Sequence, residues 1–277
     1  MKKYLNIIFD ADNPKFVNAI DELAFWSAPF GMTLLDTIKI KPNIKVLDIG
    51  CGTGFPLFEL AGRLGESSKI YGIDTWDKAI NKVRNKISLY ELKNIDAINC
   101  EAERLPFEND FFDLTVSNNG INNVQDLEKT LSECYRTLKP CGQFVFTFNL
   151  PYSLIEFYSV FKSVLEGLGL LNEIQKVDEH IFEKRKPLDY MEKIVTKTGF
   201  KVNNKIENKF NYKFVDGNAF FSYPMIRFHF LPPWKNLIPE KRIEEVFTLL
   251  EEKLNEISSK QGELVMTIPY ACFDCRK

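Results

Sequence analysis

The stretch Val46-Leu47-Asp48-Ile49-Gly50-Cys51-Gly52-Thr53-Gly54-Phe55-Pro56 leaves this chain few folds to choose from. Val46, Leu47 and Ile49 suit a strand buried on both faces, as in a parallel sheet. Gly50, Gly52 and Gly54 then allow a sharp turn and a close approach of backbone to ligand, because no Cβ stands in the way. Pro56 fits the first turn of a helix, and Phe58, Leu60, Ala61 and Leu64 follow at helical spacing. Strand, glycine turn and helix start together make a nucleotide-binding corner.

Three ligands compete for such a corner. A dinucleotide loop reads G-x-G-x-x-G, whereas the third glycine here comes one residue early. A phosphate loop needs G-K-[ST], and the lysine is absent. S-adenosylmethionine carries no phosphate, and its adenosine and amino-acid ends need close backbone approach rather than an anion cradle. Asp48, just before the turn, would welcome an ammonium group and repel a phosphate.

Val46 to Gly54 resembles the first motif of the class I S-adenosylmethionine-dependent methyltransferases. Four more landmarks follow in that family's order. Ile70-Tyr71-Gly72-Ile73-Asp74 resembles the second strand with its terminal acid, and Glu101-Ala102-Glu103-Arg104-Leu105-Pro106-Phe107 the segment along the adenine. Phe112-Asp113-Leu114-Thr115-Val116-Ser117-Asn118 resembles the fourth strand. Arg136-Thr137-Leu138-Lys139-Pro140-Cys141-Gly142 resembles the turn before the fifth, although the family more often has Gly where Cys141 stands. The resemblance covers roughly residues 40–150.

It implies an α/β fold: a Rossmann-like seven-stranded, mostly parallel sheet with helices on both faces and a helical lid or insert. Residues 1–150 would hold the N-terminal helices and the cofactor core, and 151–277 the rest of the sheet with insertions at about 151–183 and 209–260, one catalytic unit overall. It implies S-adenosyl-L-methionine as cofactor, with Asp48, Gly50, Cys51, Gly52, Asp74, Thr75, Glu101, Ala102 and Asn118 as its candidate contacts. Asp74 is expected to bind the ribose hydroxyls, with a helix cap as the competing role. Glu101 and Ala102 would read the adenine edge. Asn118, at a polar strand exit, would line both cofactor and acceptor. The reaction implied is in-line transfer of a methyl group to a small molecule. A non-catalytic S-adenosylmethionine-binding or regulatory protein and a protein-directed methyltransferase are the alternatives.

The charge balance of −2 and a pI near 5.9 argue against a nucleic-acid partner. The run Lys184-Arg185-Lys186 reads as a solvated face. No window approaches the ~20 apolar residues of a membrane span. Six scattered cysteines and no secretory leader point to a cytoplasmic protein with reduced thiols.

Asn13-Pro14 is expected to start a helix with Phe16, Ile20, Leu23 and Ala24 on one face. Trp26 and Phe30 are candidates to cap the cofactor, against simple packing on the sheet, and Trp76 is a candidate to stack on adenine. The fifth strand reads as Gln143 to Asn149. An amphipathic helix over Leu154 to Leu168 follows, then a charged, loop-like 172–186, a helix from Pro187 to Thr198 and a sixth strand from Phe200 to Glu207. Next come an aromatic-dense insert from Phe210 to Trp234, a helix with Ile243, Val246, Phe247, Leu250, Leu254 and Ile257 on one side, and a final strand over Glu263 to Phe273.

Several motifs carry little. Asn149-Leu150-Pro151-Tyr152 resembles an amino-methylation signature but falls after the wrong strand and lacks its first proline. Pro140-Cys141 sits in a turn rather than at a strand exit, which excludes the nucleophile of cytosine C5 methylation. Cys272 and Cys275 would point to opposite faces of a strand, so no metal is expected. Of two histidines, His229 lies in the aromatic insert and is the better candidate base, against a plain surface role.

Overall fold

A strand apolar at every position needs cover on both faces, and that requirement organises the sheet. The computed structural model describes residues 2–6, 10, 12–21 and 25–277. Its strands are β1 (Lys45–Ile49), β2 (Lys69–Asp74), β3 (Ile95–Asn99), β4 (Phe112–Asn118), β5 (Leu138–Asn149), β6 (Lys201–Phe214) and β7 (Leu264–Arg276). They form one sheet in the order β3-β2-β1-β4-β5-β7-β6. β1 to β5 pair in parallel, and β7 runs antiparallel to β5. Val46, Leu47, Asp48 and Ile49 of β1 are all buried.

The helices are α1 (Pro14–Asp21), α2 (Ala28–Thr37), α3 (Leu57–Leu64), α4 (Asp77–Leu89), α5 (Leu127–Thr137), α6 (Ile155–Gly167), α7 (Leu171–Lys184), α8 (Leu188–Lys197), α9 (Gly217–Ser222), α10 (Leu231–Asn236) and α11 (Ile243–Gln261). α3 buries Leu57, Leu60, Ala61 and Leu64, one apolar face laid on the sheet. Asp126 caps α5, its carboxylate accepting from the Lys129 N–H at 3.0 Å. α1 starts at Pro14 as expected; Leu23, Ala24 and the side chain of Ile20 lie outside the described residues. No helix among the described residues is long and apolar enough to cross a membrane.

Three sequence expectations need correction. The charged stretch read as a loop is α7, whose apolar stripe is a single row of Ile174, Val177 and Ile181, too narrow to stand out among charges. β5 begins at Leu138, before the turn residues Pro140-Cys141-Gly142, with an irregular register between Phe112 and Leu114 of β4. Arg185 is not solvated: it is 3% exposed, although its neighbour Lys184 is exposed.

The chain divides into two compact units. One comprises Ala11–Asn149, Lys186–Asn208 and Tyr270–Lys277 and holds most of the sheet. In it Phe30 is fully buried against Tyr270, ring centroids 4.6 Å apart, so it is a core residue. The other comprises Met1–Asp10, Leu150–Arg185 and Lys209–Pro269. Its core is aromatic. Phe157 stacks on Trp234 at 4.0 Å, Phe220 and Phe221 are fully buried, and Trp234 Nε1–H donates to the Tyr158 hydroxyl at 2.9 Å. Phe210, Tyr212 and Phe214 are half-buried.

Cys141 adopts φ +63°, the left-handed region where a Cβ is penalised. Cys141→Gly removes that penalty, less glycine's extra freedom in the unfolded chain. We expect a net gain of up to about 1 kcal/mol, read as a higher denaturation midpoint at unchanged slope.

Candidate functional site

The glycine turn is welded to the end of β2. The Gly50 and Cys51 N–H groups both donate to the Ile73 carbonyl, at 2.9 and 3.0 Å. The next acid takes the next donor: Asp74 Oδ2 accepts from the Gly52 N–H at 2.9 Å, and Oδ1 from the Trp76 N–H at 2.8 Å. The Gly54 N–H donates to the Cys51 carbonyl, and Lys86 Nζ braces the turn by donating to the Thr53 carbonyl at 3.0 Å. Gly50 has φ +71°, and a Cβ there would stand 2.9 Å from the Gly120 Cα, so only glycine fits.

A cavity of about 230 Å³ opens at these carboxyl ends of the strands. It is lined by Ile49 and Gly50 after β1, by Ile73, Asp74 and Thr75 after β2, and by Cys100 to Glu103 after β3. Gly120 and the segment Asn123 to Gln125 after β4 close it. Among the described residues the lining holds three carboxylates, from Asp74, Glu101 and Glu103, and no Lys, Arg or His. Burial pushes the Cys100 thiol up to about 11, so it stays protonated at neutral pH and is a poor nucleophile.

Of the residues singled out from sequence, Gly50, Asp74, Thr75, Glu101 and Ala102 come together in this lining. Cys51 and Gly52 build the turn beneath it. Asn118 is buried; its Nδ2 donates to the Ser27 carbonyl at 3.0 Å and its Oδ1 accepts from Thr147 at 3.1 Å. Trp76 contributes its backbone to Asp74 and is not among the lining side chains. His229 is exposed in the other unit, edge-on to Phe228, and outside the lining. Sequence reasoning missed Asn123, Val124 and Gln125, which end and follow a 3-10 turn and carry no chemical signature.

Asp48 is fully buried, and neither carboxylate oxygen has a hydrogen-bond partner among the described residues. Burial first, and the charge of Asp74 second, push its pKa from 3.8 up to about 8.

These features test the three candidate ligands. An anion cradle needs unspent N–H groups and positive charge. Here the N–H groups of Gly50, Cys51, Gly52 and Gly54 are spent inside the protein, and the lining is acidic. A phosphate is unwelcome. A ligand with hydroxyls, a purine edge and positive charge fits, which describes S-adenosylmethionine.

The comparisons agree. A family model described as a methyltransferase domain matches residues 40–213. The chain belongs to this methyltransferase family. The family's cofactor is S-adenosyl-L-methionine, and its enzyme class is methyltransferase. The chain is similar to a demethylmenaquinone methyltransferase of Bacillus mycoides, 36% identical over 108 residues, which covers 39% of this chain and 46% of that protein. It thus spans about half the length of the curated relatives it matches. In fold it is similar to the YcgJ protein of Bacillus subtilis, with TM-score 0.56, 17% identity and coverage of 90% and 97% of the two chains. A SAM-dependent methyltransferase from Aquifex aeolicus gives TM-score 0.52 at 20% identity over 72% of this chain and 93% of that one. The sheet order with antiparallel β7 is the Rossmann-like methyltransferase arrangement.

Asp48 makes the ligand-free protein pH-sensitive. Folded, it keeps a proton that the unfolded chain releases between about pH 4 and 8, so stability falls as pH rises through that window and levels above it. Asp48→Asn removes the titration. Its melting temperature is expected to fall less between pH 5 and 8 and to exceed wild type at pH 8; a slope equal to wild type contradicts the assignment.

Proposed function

We propose that this chain transfers the methyl group of S-adenosyl-L-methionine to a small-molecule acceptor. The observation that carries this is the acid-lined cavity over a glycine turn whose N–H groups are already spent. Asp74 holds the ribose: each of its oxygens accepts one backbone N–H and keeps a lone pair for a hydroxyl. Glu101 and Ala102 read the adenine edge, with Thr75 beside the ribose. The close backbone of Gly50, Cys51 and Gly52 supports the amino-acid end. Asp48, buried beneath it, faces the positive charge. Asn118, locked between Ser27 and Thr147, fixes the strand exit toward the acceptor.

The sulfonium supplies an already activated methyl group, so the protein's task is positioning. Holding two reactants in line is worth ~7–11 kcal/mol. A base is needed only for an acceptor that must lose a proton, and no step is assigned to His229. The similarity to demethylmenaquinone methyltransferases supports a small-molecule acceptor, and demethylmenaquinone is the first to test.

Calorimetric titration is the direct check. S-adenosylmethionine and S-adenosylhomocysteine are expected to bind and NAD not to. Asp74→Ala should weaken the first two roughly 10–100-fold, the worth of charge-assisted hydrogen bonds. Binding of NAD in preference to either sulfur compound refutes the reading.

A further inference from the structure

A buried guanidinium needs acceptors, and Arg185 has too few. It follows the last turn of α7 and is 3% exposed. Nε and Nη1 are buried and have no hydrogen-bond partner among the described residues. Nη2 belongs to both edges of the fork, so neither edge is complete.

Two features stabilise the charge without filling those N–H groups. The guanidinium lies over the Tyr158 ring, 5.2 Å from its centroid. The carbonyl end of α7, where the Arg185 N–H itself donates to Ile181, favours a cation. Arg136 shows what a structurally used arginine looks like in this protein. Its Nε and Nη2 donate to the Glu133 carboxylate, its Nη1 to the Phe107 carbonyl, and its Nη2 also to the Leu105 carbonyl. Arg185 has the burial without the acceptors.

The Tyr158 ring it lies over belongs to the aromatic core of this unit. Tyr158 accepts from Trp234, and Trp234 stacks on Phe157 and packs against Phe230 at 5.6 Å. His180, on the same helix, is held down to about 4 by burial and then by the charge of Arg185, so it is neutral at pH 7.

We propose that Arg185 anchors an oxyanion-binding site in this unit, taking the carboxylate or phosphate of a small molecule with an aromatic or otherwise apolar body. A carboxylate, or two oxygens of a phosphate, completes either edge of the fork with two parallel hydrogen bonds, and the Tyr158 ring against the guanidinium is the apolar neighbour of the ligand's body. The site stands independently of the methyl-transfer reading.

The test is thermal melting of the full chain against benzoate, inorganic phosphate and benzyl alcohol at fixed ionic strength, in wild type, R185M and R185Q. A saturable rise of roughly 3–5 °C at tenfold excess over Kd is expected in wild type with benzoate, phosphate or both, and none with benzyl alcohol. The responding anion tells a carboxylate ligand from a phosphate ester. Both variants should lose the response. Without ligand, R185M should melt at or above wild type, because it removes an uncompensated buried charge. No response in wild type to either anion, a response retained in the variants, or a ligand-free R185M that melts several degrees lower overturns the proposal; the last would make Arg185 a structural brace.

Discussion

The Ile73 carbonyl accepts the N–H groups of both Gly50 and Cys51, and the site hangs from that bifurcated contact. It fixes the exit of β1 to the exit of β2. The next residue, Asp74, is thereby delivered to the Gly52 and Trp76 N–H groups, which set its carboxylate. On the other side, Ser117 Oγ donates to the Ile49 carbonyl and accepts from the Ile121 N–H, bringing Gly120 under Gly50. Three strand exits are therefore positioned by backbone and one hydroxyl, before any cofactor-facing side chain matters.

That local character explains what could be read from the residues. β1, its glycine turn and α3 are contiguous, and each signal, an apolar run, positive-φ glycines and helical spacing, arises within a few residues. The place of Asp74, Glu101 and Ala102 in the cavity lining was legible because Asp74 ends β2 and the other two lie just beyond β3, at the carboxyl ends of parallel strands. α7 was hidden because burial on one narrow row leaves most of its surface charged. The early start of β5 was hidden because Pro140-Cys141-Gly142 has turn composition, and tertiary pairing overrides it. The burial of Arg185 had no sequence signal: a basic triplet is polar wherever it lies, and only packing decides which member turns inward.

Asp48 and Arg185 pose one electrostatic problem and resolve it differently. Among the described residues neither Asp48 oxygen has a hydrogen-bond partner, and neither do Nε and Nη1 of Arg185. A carboxyl group can discard its charge by keeping a proton, and the shift of Asp48 to about 8 does so over most of the neutral range. A guanidinium has no such route, since its pKa lies above any physiological pH. The acid is therefore adaptable, charged or neutral as its neighbourhood requires, whereas the arginine's demand for a counter-group is permanent.

β7 pairs with β5 across a long sequence gap, Asn149 against Tyr270 and Gln143 against Arg276. β4 and β5 are made early; the strand that covers the far edge of β5 is made on the order of a hundred residues later. At ribosomal rates that edge waits on the order of ten seconds for its partner. Meanwhile it presents Phe144, Val145, Phe146 and Phe148, apolar and strand-forming, with unpaired backbone groups beside them. Closing so long a loop is also slow. The nascent chain is thus most prone to associate with its own copies after the cofactor corner exists and before the sheet is complete, and soluble yield depends on what shields β5 during that interval.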